Sequence, residues 1–283
     1  GIHIHRCRHT AQRDNVILRG FEHFVLSRYY FRKYKSLNIN FNAVLMYIPP
    51  LPLWHLAKKI KRYDGTPSIL NFQDFHPQEL VDVGVMKNPI WIKIMEYIER
   101  RAYKHADYIT VLSKKGVDYV VNKGADPKKV THIYNGLLLD DFEGKRLKKD
   151  FKKKQNIEKK TLVTYAGILS PYQGIDAILD VAKKLKENDD FVFYIVGEGS
   201  EKNHIKQRIL KEDIANVCLL PFQKREDYFN IINSSDIALV TLDKRMKAPC
   251  LTGKIKDLLS LKKKIIEKKK KNTETADFIK KTK

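Results

Sequence analysis

Tyr165-Ala166-Gly167-Ile168-Leu169-Ser170-Pro171-Tyr172-Gln173-Gly174-Ile175 decides the fold. Its first residues end Thr161–Ala166, a β-branched and apolar run that predicts a strand. From Ile175 to Lys186 the apolar residues return at helical spacing. Gly167 and Gly174 bound the turn between them. A strand, a turn and a helix in this order form half of a βαβ unit and predict a parallel sheet. In such sheets ligands sit outside the carboxyl ends of strands, where a helix N-terminus offers unpaired N–H groups to phosphate. Glycines at this position can also serve turn geometry alone, so the turn gains meaning only in company.

Working outward, the same rhythm continues on both sides. Downstream, Phe191–Val196, Val217–Leu220 and Ile237–Leu242 read as strands, with helices over Glu201–Glu212 and Glu226–Ile232. Upstream, strands are expected at Ala43–Ile48, Ser68–Phe72, Tyr108–Leu112 and Val130–Tyr134. A helix over 90–103 follows Pro89, a residue suited to a first turn. Strands this uniformly apolar suit a sheet covered on both faces. The pattern breaks after Asn135-Gly136 and restarts at Thr161. Two α/β domains are therefore expected, over 1–143 and 161–283, joined by a basic linker over 144–160.

The 283 residues are 43% hydrophobic with 14 Tyr and 13 Phe, enough for packed cores. Cys7, Cys218 and Cys250 are widely spaced, which argues against a disulfide framework or a zinc site and for a reducing, cytoplasmic setting. No run approaches the roughly 18 apolar residues that span a bilayer. The polar opening Gly1-Ile2-His3-Ile4-His5-Arg6 lacks an initiating Met and reads as the interior of a longer protein. The net charge of +22 is concentrated: residues 144–160 hold nine Lys/Arg against two acids, and 262–271 hold seven Lys against one Glu. Neither stretch interleaves aromatics as a nucleic-acid groove does, so no nucleic-acid partner is expected. Solvated charge or attraction to an anionic membrane accounts for them.

Two further constellations stand at strand ends. Gly197-Glu198-Gly199-Ser200 follows the strand ending at Val196, where Glu198 and Ser200 can also cap a helix. Thr252-Gly253-Lys254-Ile255-Lys256-Asp257 opens a helix and places one cation at its start, with a carboxylate one helical step further in. Lys254 and Asp257 can equally form an ordinary surface pair.

Taken in order, these pieces resemble the donor-binding half of the retaining glycosyltransferases of family 4, which have the two-domain GT-B fold. The matching positions are Gly167 with Gln173-Gly174, Gly197-Glu198-Gly199, Asp236-Ile237-Ala238-Leu239-Val240, and Lys254 with Asp257. In the first half, Asn71–Glu79, Glu99–Asp107, Val111-Leu112-Ser113 and Ile133-Tyr134-Asn135-Gly136 are similar to segments of the bacterial branch that makes cell-surface polysaccharides. The resemblance implies an α/β chain of two Rossmann-like domains. It also implies a first domain short of its N-terminal strands and a second short of its closing helices.

The implied reaction is transfer of a sugar from a nucleotide diphosphate sugar, UDP-linked in preference, to a lipid-linked or saccharide acceptor, with retention. No metal or other cofactor is implied, since the nucleotide sugar is a substrate. The resemblance assigns the leaving diphosphate to Lys254 and the Gly167 turn, the ribose to Asp257 and the base to the backbone around Pro221-Phe222-Gln223. Gln173, Gly174, Gly197, Glu198 and Gly199 complete the donor site. A donor-facing His of the first domain falls on Gln73, leaving Gln73, Asp74 and His76 as the catalytic candidates; a His there can also cap or pack. Further departures are Ile168 in place of Arg and Pro249 where the family has the first Glu of its E-x7-E pair. Lys262 and Lys264 replace a glycine and a proline near a helix-to-strand junction. The expected place is the cytoplasm, peripheral on the inner face of the plasma membrane. A non-catalytic remnant of such an enzyme is the alternative, with a basic nucleic-acid-binding protein behind it.

Overall fold

The computed structural model describes residues 1–7, 16–137, 148–268 and 275, with side chains of the first helix from residue 22. The chain divides into two compact units, Gly1–Tyr134 with Lys247–Cys250, and Asn135–Met246 with Leu251–Lys283. In the first, strands β1 (Val44–Ile48), β2 (Ser68–Phe72), β3 (Tyr108–Val111) and β4 (Val130–His132) form a parallel sheet in the order β1-β2-β3-β4. Helices α1 (Val16–Leu37), α2 (Trp54–Asp64), α3 (Gln78–Asp82), α4 (Pro89–His105) and α5 (Lys114–Asn122) accompany it. Ile48, Ile60, Leu70, Phe72, Ala102, Tyr103, Ile109 and Val111 make its core.

Asn88 accepts hydrogen bonds from the amides of Ile90 and Trp91 and caps α4, with Pro89 in the first turn as expected. Ser113 caps α5 in the same way by accepting from the Gly116 amide. Glu99 of α4 is fully buried and accepts from the hydroxyls of Tyr103 (2.9 Å) and Tyr119 (3.3 Å) and from the Lys123 ammonium (2.7 Å). A carboxylate taken out of water needs such partners. Burial pushes its pKa up, opposed by the Lys123 contact.

The second unit holds β5 (Thr161–Ala166), β6 (Phe191–Val196), β7 (Val217–Leu220), β8 (Ile237–Thr241) and β9 (Lys264–Lys268) in the order β7-β6-β5-β8-β9, all parallel. Its helices are α6 (Phe151–Lys154), α7 (Asp176–Lys184), α8 (Lys202–Lys211), α9 (Arg225–Ser234) and α10 (Lys254–Ser260). Two buried clusters line opposite sides of this sheet's alternating side chains. Leu162, Ala166, Tyr194, Val196 and Ile255 belong to one, and Val163, Tyr165, Phe193, Ile195 and Leu179 to the other. This is the covering of both faces that the apolar strands predict.

The structure departs from the sequence reading in three places. Residues 144–147 lie outside the described residues, but the rest of the expected linker is packed: Phe151 is buried and sits edge-on to Tyr194, 5.1 Å between centroids. The second basic stretch contains β9, whose residues 264–268 pair with 237–241 of β8. Lys262 turns into it at φ +52°, the left-handed conformation in which glycine is at ease and lysine is not. Finally, α8 has no side-chain cap, so Glu198 and Ser200 do not play that part. Glu198 instead pairs with Lys202.

Candidate donor-binding site

The strand order of the second sheet reverses between β5 and β8. Chains leaving those two strands travel to opposite faces, and a crevice opens between their carboxyl ends. The Gly167 turn leaves β5, and Asp243 lies two residues beyond β8. The two are tied together: the Asp243 amide donates to the Tyr172 carbonyl at 2.7 Å. Gly174, at φ +59°, lies so near that a Cβ on it would stand 3.1 Å from the Asp243 backbone.

The turn after β6 locks onto the turn after β5. Amides of Gly167 and Leu169 donate to the carbonyls of Val196 and Glu198, and the Glu201 amide returns to the Leu169 carbonyl. The closeness requires glycine. A Cβ on Gly197 would stand 1.9 Å from the Gly167 carbonyl oxygen, and one on Gly199 would stand 2.1 Å from that of Leu169. Both clashes are with backbone, which cannot swing aside.

Lys254, the first residue of α10, reaches back over this turn. Its Nζ lies 3.9 Å from the centroid of the Tyr165 ring and donates to Gln173 Oε1 at 3.2 Å. It would stand 2.8 Å from a Cβ at Gly167. The ring face and the amide oxygen both favour the cation. Tyr165 is itself buried and shares its hydroxyl between the Ile168 carbonyl and Gln173 Oε1, each 3.0 Å away. Burial pushes that hydroxyl far above the usual tyrosine range, so it stays a donor. Gly167, Gln173 and Lys254, distant in sequence, thus form one cationic point at a backbone turn.

Beside it is a cavity of about 640 Å³, lined wholly by the second unit. Gly167, Ile168, Gly197 and Glu198 line it on the turn side, and Phe222, Gln223, Arg225, Tyr228, Phe229 and Asp257 elsewhere. The volume falls within the range of small-molecule sites. Asp257 accepts from the Tyr228 hydroxyl at 3.3 Å, while burial and that carboxylate raise the tyrosine pKa. The Arg225 guanidinium lies 5.4 Å from the Phe229 ring centre. Arg225, Tyr228 and Phe229 escaped the sequence reading, although their i, i+3, i+4 spacing at the start of a helix after β7 places them on one face.

Of the expected donor residues, Gly167, Gly197, Glu198, Phe222 and Asp257 line the cavity, while Gln173 and Lys254 gather at the adjoining turn. Gly174 and Gly199 shape backbone crossings. Pro221 accepts from its neighbour Gln223 through its carbonyl and is absent from the lining.

The catalytic candidates belong to the first unit. Gln73 continues the ladder from its amide to the Ile48 carbonyl, and its side chain donates to Asn71. Asp74 and His76 are part-buried and sense each other's charge. Burial raises the carboxyl and lowers the imidazole, so both are drawn toward their neutral forms. Glu79 braces their loop by accepting from the Phe75 amide at 3.0 Å.

Residues 147–244 match the family described as Glycosyl transferases group 1. Among curated relatives, the chain is 18% identical over 211 residues to the putative colanic acid biosynthesis glycosyl transferase WcaI of Escherichia coli K12, covering 71% of this chain and 51% of that one. It is 26% identical over 187 residues to the probable glycosyltransferase WbjE of Pseudomonas aeruginosa, with 64% and 46% covered. The chain thus spans about half the length of these relatives. Among solved structures, Anabaena HepE in complex with UDP and glucose superposes with a TM-score of 0.68 at 14% identity, over 90% of this chain and 64% of that one. Sucrose-phosphate synthase from Thermosynechococcus elongatus gives 0.70 at 12%, over 86% and 60%. The architecture is two Rossmann-like α/β domains of the GT-B type.

Proposed function

We propose that this chain binds a nucleotide diphosphate sugar, UDP-linked in preference, in the second unit and transfers the sugar with retention and without a metal. The observation that carries this is the Gly167–Gln173–Lys254 cluster beside a cavity that also holds Asp257, at the point where the strand order reverses. In the reaction the bond from the anomeric carbon to the diphosphate oxygen breaks, and its electron pair leaves with the diphosphate. An acceptor hydroxyl bonds to that carbon and gives up its proton. Charge grows on the departing diphosphate, where the Lys254 ammonium and the turn's backbone N–H groups are fixed in advance. Asp257 would accept from ribose hydroxyls, and the face carrying Phe222, Arg225 and Phe229 would hold the base.

Gln73, Asp74 and His76 are assigned to the sugar end of the donor, and a lipid-linked or saccharide acceptor of cell-surface polysaccharide assembly to the cytoplasmic face of the membrane. The printed names of WcaI and of HepE with UDP support the class of donor and product. Saturation-transfer NMR against a nucleotide panel tests the reading: UDP or GDP contacts are expected, and a folded sample that binds neither sinks it. Pro249 and Gln73, standing where the resembled family has Glu and His, favour a second reading in which the donor binds without turnover. Sugar release from a UDP-sugar by the folded chain would dispose of that reading.

A further inference from the structure

Helix α4 is buried along one side only. Ile98, Ala102 and Tyr103 enter the core of the first unit. At 100° per residue, Ile90, Ile94, Tyr97, Arg101 and Lys104 form a stripe on the opposite side, spaced i, i+4, i+7, i+11 and i+14. Its first half is apolar and exposed: Ile90 at 68%, Ile94 at 39% and Tyr97 at 58%, with Trp91 at 49% on its flank. Its second half is cationic. His105, at the end of α4, has its pKa lowered by burial and then by Arg101, Lys58, Lys104 and Arg62, which shows how densely cations collect there. Lys93 and Arg100 stand exposed beside the stripe, and the nearby Glu96 lies 4.0 Å from Arg100.

A helix that only needed to cover the core would carry polar residues at 90, 91, 94 and 97. Apolar residues with Trp and Tyr, followed by a run of uncompensated cations, suit an interface where hydrocarbon meets anionic headgroups. We propose that this face of α4 docks the protein on a bilayer containing anionic lipid, with Ile90, Trp91, Ile94 and Tyr97 entering the headgroup boundary. Arg100, Arg101 and Lys104, with Lys58 and Arg62 of α2, meet the phosphates. This deepens the membrane-associated reading above and rests on it for its role, but it uses none of the donor site. The charge pattern selects a lipid surface over a protein partner, because a protein interface is depleted of such cations at its centre.

The test uses the full chain with vesicles of phosphatidylcholine alone and with added phosphatidylglycerol. Only two tryptophans exist, and Trp54 is buried at 4% exposure, so Trp91 reports locally. Anionic vesicles should shift its emission to the blue, and brominated lipid should quench it. The triple variant I90S/I94S/Y97S should lose the shift and bind anionic vesicles about tenfold more weakly or less, with an unchanged melting temperature. R101Q/K104Q should weaken binding and flatten its salt dependence. Equal binding by wild type and triple variant would overturn the proposal, as would an unshifted Trp91 on bound protein. So would loss of a solution dimer in the triple variant with no change on vesicles. UDP contacts followed in the same samples are expected to be untouched, which separates failure of this proposal from failure of the donor reading.

Discussion

The two units brace their sheets alike and differ at the other end. In the first, Asp107 stands one residue before β3, accepts from the Ser68 amide that opens β2, and pairs with Lys61. In the second, Asp236 stands one residue before β8, accepts from the Leu162 amide near the start of β5, and pairs with Lys152 at 2.9 Å. The same device closes the amino ends of both sheets. At the carboxyl ends the likeness stops. Among the described residues the first sheet runs in sequence order without reversal, whereas the second reverses and opens a crevice lined by tightly crossed glycine turns. The amino ends are thus concerned with folding, and the chemistry of the donor site belongs to one reversal of strand order.

The largest expected effect breaks this contrast from the second unit. Gly197→Ala forces a Cβ onto a backbone oxygen and should cost about 3 kcal/mol or more in urea unfolding, since no flexible side chain can give way. A loss under about 1 kcal/mol would show the crossed turns to be looser than described. Next, Lys123→Met leaves Glu99 buried with only its two tyrosines and should cost about 3 kcal/mol, leaving nucleotide binding unchanged. Lys254→Ala should do the reverse. UDP affinity by calorimetry should fall roughly 10- to 100-fold, the value of a hydrogen bond to charge, with little change in the unfolding midpoint.

A smaller effect comes from His76. Its folded pKa lies below the unfolded value of 6.5, so the unfolded chain binds the proton first as pH falls. Stability carried by neutral His76 is therefore present above pH 6.5 and is lost as pH drops toward the folded pKa. Urea midpoints at pH 7.5 and 5.5 should differ less in His76→Gln than in the wild type. Smallest of all, Lys262→Gly should stabilise by about 0.5 kcal/mol, the relief of a left-handed lysine less the freedom glycine adds to the unfolded chain. No gain would mean that the turn is held in place by its neighbours.

Much of the fold could be read from residues alone. β2, β5, β6 and β7 begin and end where the apolar runs do, because a doubly covered strand must be apolar throughout. The two Asp braces were visible as motifs, though not as braces. What escaped was structure whose side chains face water. β9 reads as a block of charge because it is an edge strand with exposed lysines, and its pairing is made by backbone. α1, with aromatics and cations around its whole surface, has no apolar stripe to betray it. In the candidate site, glycines and Lys254 were legible from turn position. Arg225, Tyr228 and Phe229 were not, since a cavity wall on a short helix has the same composition as an ordinary surface.

The crossed turns after β5 and β6 have a further consequence. Because each carbonyl of one turn sits where a side chain of the other would need to be, neither can change length or composition alone. The phosphate edge of the cavity behaves as a single casting. Any retuning of the pocket toward another base or sugar must come from the opposite wall, where Phe222, Arg225 and Tyr228 can be exchanged one at a time.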